Sequence, residues 1–189
     1  MNAPTLRSNL LFARSFLKNP KMLGSFVPSS RYLRRNLMRH VPRESSCIVE
    51  YGPGVGTITF DLLRRLRRDG RLIAIEQNPA FVEFLRKNVA DPRFHVYEGS
   101  AENVASVLPR FGVHQADCIV SGIPYSTLPA GTRENILRRS RSVLRDGGTF
   151  LVYQFTSAVA PHMREVFGPV HQEIEFRNFL PARIFSVRV

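Results

Sequence analysis

From Cys47 onward, short apolar runs alternate with segments whose apolar residues recur at helical spacing. "CIVEYG" (47–52), "RLIAIE" (71–76), "FHVYEG" (94–99), "ADCIVSG" (116–122) and "TFLVYQF" (149–155) read as buried strands. Between them, "TFDLLRRLRR" (59–68), "AFVEFLRKNV" (80–89), "AENVASVL" (101–108) and "TRENILRRSRSVL" (132–144) read as helices. Pro79 opens the second helix at a position where a missing N–H costs little. "DG" at 69–70 is expected to end the first helix and "RDGG" at 145–148 the fourth. A helix around 158–167 and strands near 170–177 and 183–189 complete the pattern. Such alternation predicts an α/β domain, a parallel sheet with helices on both faces.

The chain before Cys47 has another character. If residues 6–19 are wound as a helix, Leu6, Leu10, Phe12, Ala13, Phe16 and Leu17 share one broad arc. Arg7, Arg14 and Lys18 cluster along one flank, and Ser8, Ser15 and Asn19 face away. That is the pattern of an amphipathic helix lying in a membrane interface. Packing the same stripe on the domain is the alternative. After Pro20 and Gly24, "VPSSRYLRRNLMRH" predicts a second helix with Ser29 or Ser30 as N-cap. The division is a basic helical arm over 1–43 and one domain over 44–189.

Composition sharpens this. A length of 189 residues suits one domain with a real core. No run approaches the roughly 20 apolar residues of a membrane span, and the start shows no secretory pattern. Cys47 and Cys118 sit in apolar strands, so buried reduced thiols and a cytoplasmic setting are expected. The histidines show no metal-ligand spacing, so no metal is expected. The net charge is +12, and nine basic residues precede the first acidic one, Glu44. An anionic partner is implied, either a membrane surface or nucleic acid.

The candidate chemistry lies at strand ends. "EYGPGVGT" places Glu50 before Gly52, Gly54 and Gly56. A dinucleotide fingerprint needs glycine where Thr57 stands. A carboxylate there suits a cationic ligand, and S-adenosylmethionine carries both an ammonium and a sulfonium. Glu76, followed by Gln77, can accept from two ribose hydroxyls, or it caps the helix after it. In "EGSAEN", Ser100 bonds a base edge or caps the helix from Ala101, with Glu102 next. "SGIPY" (Ser121, Gly122, Ile123, Pro124, Tyr125) resembles the Asn-Leu-Pro-Tyr turn of amine methyltransferases, with Gly122 in the Asn place. Losing the Asn amide disfavours a flat purine amine and leaves a flexible headgroup amine served by carbonyls and the Tyr125 ring. Tyr125 and Tyr153, at the ends of strands four and five, are candidates for orienting the amine and relaying its proton.

Together these residues resemble the class I S-adenosylmethionine-dependent methyltransferases. The resemblance implies a Rossmann-like, seven-stranded, mostly parallel sheet with the last strand antiparallel. It implies that Gly52, Gly54 and Gly56 line the methionine side, that Glu76 holds the ribose, and that Ser100 and Ala101 flank the adenine. Gln77, Glu102, Ser121, Gly122 and Ser30 are further expected cofactor contacts. "SFVPSSRYL", "IVEYGPGVGTIT", "IVSGIPYSTLP", "LVYQFT" and "NFLPARIFSVRV" are similar to bacterial phospholipid N-methyltransferases, which convert phosphatidylethanolamine to phosphatidylcholine. That likeness implies a phospholipid substrate at the inner membrane and a helix after Ser30 that closes over the cofactor. Arg31, Arg34 and Arg35 would then meet a lipid phosphate, with Ile123 and Pro124 on the acceptor side. Tyr125 and Ser126 depart from the aliphatic residues expected there. The rival is an rRNA adenine dimethyltransferase, disfavoured by Gly122 and by a chain that stops at Val189, where that family usually continues.

Overall fold

The computed structural model describes residues 29–178 and 180–189. The amphipathic helix expected over 6–19 lies outside them. Helix α1 (Arg31–His40) begins at Ser30, whose Oγ accepts the Leu33 N–H at 3.2 Å, and it buries Leu33, Leu37 and Met38. Strands β1 (Ser45–Tyr51), β2 (Leu66–Glu76), β3 (Phe94–Glu98), β4 (Ala116–Ser121), β5 (Leu144–Gln154), β6 (His171–Glu175) and β7 (Ala182–Arg188) form one sheet, in the order β3-β2-β1-β4-β5-β7-β6. Strands β1 to β5 pair in parallel, and β7 runs antiparallel to both β5 and β6. Strand order reverses between β1 and β4, where open α/β sheets take their ligands.

Helices α2 (Thr59–Leu63), α3 (Pro79–Asn88), α4 (Val104–Val107), α5 (Ala130–Val143) and α6 (Ala160–Phe167) join α1 around the sheet. Side chains alternate between its faces. Val49, Tyr51, Ile119 and Val152 pack with Ile136 and Leu137 of α5 and Met163 of α6. Ile48, Val120 and Leu151 pack with Leu37 of α1, Leu62 of α2 and Leu85 of α3. Cys47 and Cys118 are buried free thiols. Among the described residues, no helix is long and apolar enough to cross a membrane.

The first expected helix is shorter than its pattern. It stops at Leu63 because the Ser45 N–H donates to Arg65 O at 3.0 Å and Leu66 pairs with Ser45, so β2 has already begun. Asp69 and Gly70 do not end a helix; they form an irregularity inside β2, between the pairs Ser45–Leu66 and Cys47–Arg71. A Cβ on Gly70 would lie 2.8 Å from Ser45 O. The same device recurs in β5, where the register shifts between Ala116–Leu144 and Cys118–Thr149 around Gly148. Each helix passes straight into a strand through a buried leucine, Leu66 or Leu144. The segment 101–108 divides into a 3-10 turn, Ala101–Asn103, and the single turn α4.

Candidate active site

The chain leaving β1 winds through Gly52, Gly54 and Gly56 at φ 65, 56 and 80°, a path open to residues without a Cβ. Its position is fixed from both sides. The Gly52 N–H donates to Ile75 O at 3.0 Å, and the Gly122 N–H donates to Tyr51 O at 2.9 Å. Glu76 ties this loop to α3, with Oε2 accepting from the Gly54 N–H at 3.1 Å and Oε1 from the Asn78 N–H at 2.9 Å. Burial raises its carboxyl pKa, and those amides oppose the rise. Asn78 also caps α3 through the Ala80 N–H.

A cavity of about 230 Å³ opens between these elements. Gly52, Gly54, Glu76, Gln77, Ser100, Ala101, Gly122, Ile123 and Pro124 line it, so most of the expected cofactor and acceptor residues meet in one place. Ile75, Phe81 and Ile136 supply apolar walls, with Asn78, Thr127, Leu128 and Thr132 beside them. Glu50 stands behind this lining, 1% exposed. Its Oε2 accepts from Thr59 Oγ1 at 2.7 Å, while Oε1 has no hydrogen-bond partner among the described residues. Burial pushes its carboxyl up to about 8, against the Thr59 bond and with added repulsion from Glu76 and Asp61. A buried carboxylate oxygen without a donor fits an ammonium ligand. Together with the spare lone pairs of Glu76 and the apolar walls, the residues present fit S-adenosylmethionine.

Other expected contacts have local partners. Ser100 Oγ accepts the Glu102 N–H and donates to Glu102 Oε2, both at 3.2 Å, as the cap of the 3-10 turn. Glu102 also accepts from Asn135 of α5 and is not part of the cavity lining. Ser121 is fully buried, its Oγ 3.1 Å from the Tyr125 hydroxyl. The Tyr125 ring, expected over an acceptor, is 0% exposed within the core on the α5 face.

Tyr153 behaves differently. A Cβ built on Gly122 would lie 2.8 Å from Tyr153 Cζ and closer still to its hydroxyl. The phenol thus fills the space that a side chain at 122 would need, which accounts for glycine in the Asn place. The two come together because β4 pairs with β5, Ser121 opposite Val152. Burial raises the phenol pKa, and Glu50 and Glu76 raise it further. Among the described residues its hydroxyl has no hydrogen-bond partner.

A family model for a methyltransferase domain matches residues 48–148. The ornithine lipid N-methyltransferase of Singulisphaera acidiphila is 32% identical over 186 residues, 97% of this chain and 97% of its own length. The chain belongs to the class I S-adenosylmethionine-dependent methyltransferases, in the family of that enzyme. S-adenosylmethionine is the methyltransferase's cofactor. The probable ribosomal RNA small subunit methyltransferase A of Thermococcus kodakarensis is 33% identical over 117 residues, 62% of this chain but 38% of that protein. In fold, the 1,6-didemethyltoxoflavin-N1-methyltransferase of Burkholderia thailandensis, solved with S-adenosylhomocysteine, covers 100% of the chain and 92% of its own with a TM-score of 0.68 at 14% identity.

In this methyltransferase Arg31, Arg34 and Arg35, the arginines of α1 expected to meet a phosphate, do not converge. Arg34 donates to both oxygens of Asp61, at 2.5 and 3.0 Å, and Arg64 shares the same carboxylate. Arg31 donates to the Tyr32 hydroxyl at 2.7 Å, and Arg35 is exposed. The Ser30 N–H donates to Asn178 Oδ1 at 2.9 Å. Besides Ile75 and Gly99, which flank expected residues, the cavity residues not expected from the sequence are Asn78, Phe81, Thr127, Leu128, Thr132 and Ile136. Of these six, the Asn-Pro pair opening α3 marked the first two; nothing local marks the other four.

Proposed function

We propose that this methyltransferase methylates the amine nitrogen of a membrane lipid headgroup, with phosphatidylethanolamine and its partly methylated forms carried toward phosphatidylcholine. It would act from the cytoplasmic side, peripherally bound to the inner membrane. The observation that carries the reading is the Gly122–Tyr153 contact. It removes the side-chain amide that would hold an aminopurine and leaves a phenol and backbone carbonyls for a flexible amine. The near full-length likeness to a lipid N-methyltransferase supports the same choice over RNA.

S-adenosylmethionine, when bound, supplies a methyl group made electrophilic by its sulfonium. Glu50 would hold its ammonium and Glu76 its ribose. The acceptor must attack as a neutral amine, so its ammonium first passes a proton to solvent water. Tyr153 is a poor base, because its raised pKa keeps the phenol protonated at neutral pH. Its oxygen accepts an N–H hydrogen bond and aims the lone pair, so orientation supplies most of the rate. Tyr125, enclosed behind Ser121, would hold the turn rather than touch the amine.

A second lipid is favoured by a specific observation. Arg34 is committed to Asp61, which weakens the expected phosphate cluster, and the near full-length relative is named for ornithine lipid. Labelled S-adenosylmethionine offered with phosphatidylethanolamine vesicles, ornithine-lipid vesicles and undermethylated rRNA separates the three. Label in phosphatidylethanolamine is expected. Label in ornithine lipid alone would move the headgroup, and label in RNA alone would overturn the reading.

A further inference from the structure

The loop from β6 to β7 lies at the same sheet edge as the cavity, because β6 runs parallel to β5. It shows two large apolar side chains, Phe176 at 72% and Leu180 at 45% exposure. Its frame is held by polar bonds. Asn178, 8% exposed, donates to Leu180 O at 2.9 Å and accepts the Ser30 N–H. Arg177 is fixed by both oxygens of Glu175, at 3.0 and 3.2 Å, and lies 4.6 Å from the Tyr32 ring centroid. Arg31 lies 4.7 Å from the same centroid and has no carboxylate within ion-pair distance among the described residues.

We infer that Phe176 and Leu180 enter an anionic lipid bilayer, with Arg31 at the headgroup level beside them. Apolar side chains on a loop framed by the bonds of Arg177 and Asn178 mark an interaction site, and a cation at its rim matches anionic lipid. The chain segment before Ser29 is a poorer occupant, since it carries Arg7, Arg14, Lys18 and Lys21 and no acidic residue to match Arg31. A bilayer here lies along the edge where the acceptor cavity opens. The inference rests on the lipid reading above for that acceptor, but its test uses no methyl donor and so stands apart.

The chain contains no tryptophan, so F176W makes a single reporter. Its emission should shift to the blue on adding phosphatidylglycerol vesicles and be quenched by brominated acyl chains. F111W, on a residue stacked on His95 at the opposite sheet edge, should do neither. The double variant F176S/L180S should partition into the same vesicles at least about tenfold more weakly, while its activity on a monomeric short-chain phosphatidylethanolamine stays unchanged. An unshifted F176W on vesicles that still sediment the protein would overturn the inference. So would emission already blue without vesicles, which would mean that residues 1–28 cover the loop, or emission that changes only with protein concentration, which would mean a second copy. If the wild-type chain binds vesicles through Phe176 but methylates no lipid, the lipid-substrate reading fails and the bilayer contact stands.

Discussion

The two edges of the sheet carry buried carboxylates in opposite states. At the amino edge, Asp117 accepts from the Ser46 and Cys47 N–H groups at 2.6 and 2.8 Å and from Arg145 at 2.5 Å. Burial alone would raise its pKa, but these donors hold it below the usual carboxylate value. At the carboxyl edge, Glu50 has one hydroxyl donor and a bare oxygen, and its pKa goes up to about 8. Glu50 is the more deeply buried of the two, 1% exposed against 9%, and it has the fewer donors. The donors of Asp117 all come from the protein; the bare oxygen of Glu50 is the one we propose for the ammonium of the cofactor.

The comparison breaks most sharply at Gly122. G122N should lower kcat/KM on the lipid by more than about a hundredfold, because it displaces Tyr153 and misplaces the acceptor. Cofactor affinity measured by calorimetry should change much less; wild-type turnover in this variant would refute the packed pair. E50Q should weaken S-adenosylmethionine binding by about tenfold or more, the value of a hydrogen bond between charged groups. D117A, by contrast, should leave cofactor affinity alone and cost about 2 kcal/mol of stability in urea unfolding. Tyr153→Phe should lower kcat about tenfold with an unchanged cofactor Kd, as loss of an orienting hydrogen bond would.

The pH dependences of the two edges should also oppose each other. Glu50 keeps its proton in the folded free protein until about pH 8, whereas the unfolded chain loses it near 4.5. Stability from this group is therefore complete at low pH and declines as pH rises from about 4.5 to about 8. Asp117, with its lowered pKa, contributes above the unfolded value of 3.8 and loses that contribution as pH falls below it. A cationic ligand favours ionised Glu50, so cofactor binding near neutral pH should release a proton. Calorimetry in buffers of different ionisation heat measures this, and E50Q should abolish it.

What the sequence makes legible is local. The glycine turn, Glu76 at a strand end, Asn78 before Pro79 and the alternation of strands and helices all depend on neighbours along the chain. The Gly122–Tyr153 contact depends on β4 pairing with β5, and no spacing within either segment reveals it. Arg34 reads as a free cation until α2 brings Asp61 against it. The helix ending at Leu63 reads as longer because the periodicity of 64–68 is overridden by the pairing of Leu66 with Ser45.

Helix α1 was expected to close over the cofactor. Its N-cap Ser30 donates its N–H to Asn178, its middle is bonded to Asp61, and its last residue, His40, lies 3.3 Å from Glu173 on the edge strand. It is thus anchored at three levels, to the β6–β7 loop, to α2 and to β6. Moving this helix would break all three contacts together, so an exchange of cofactor that leaves it in place would cost less.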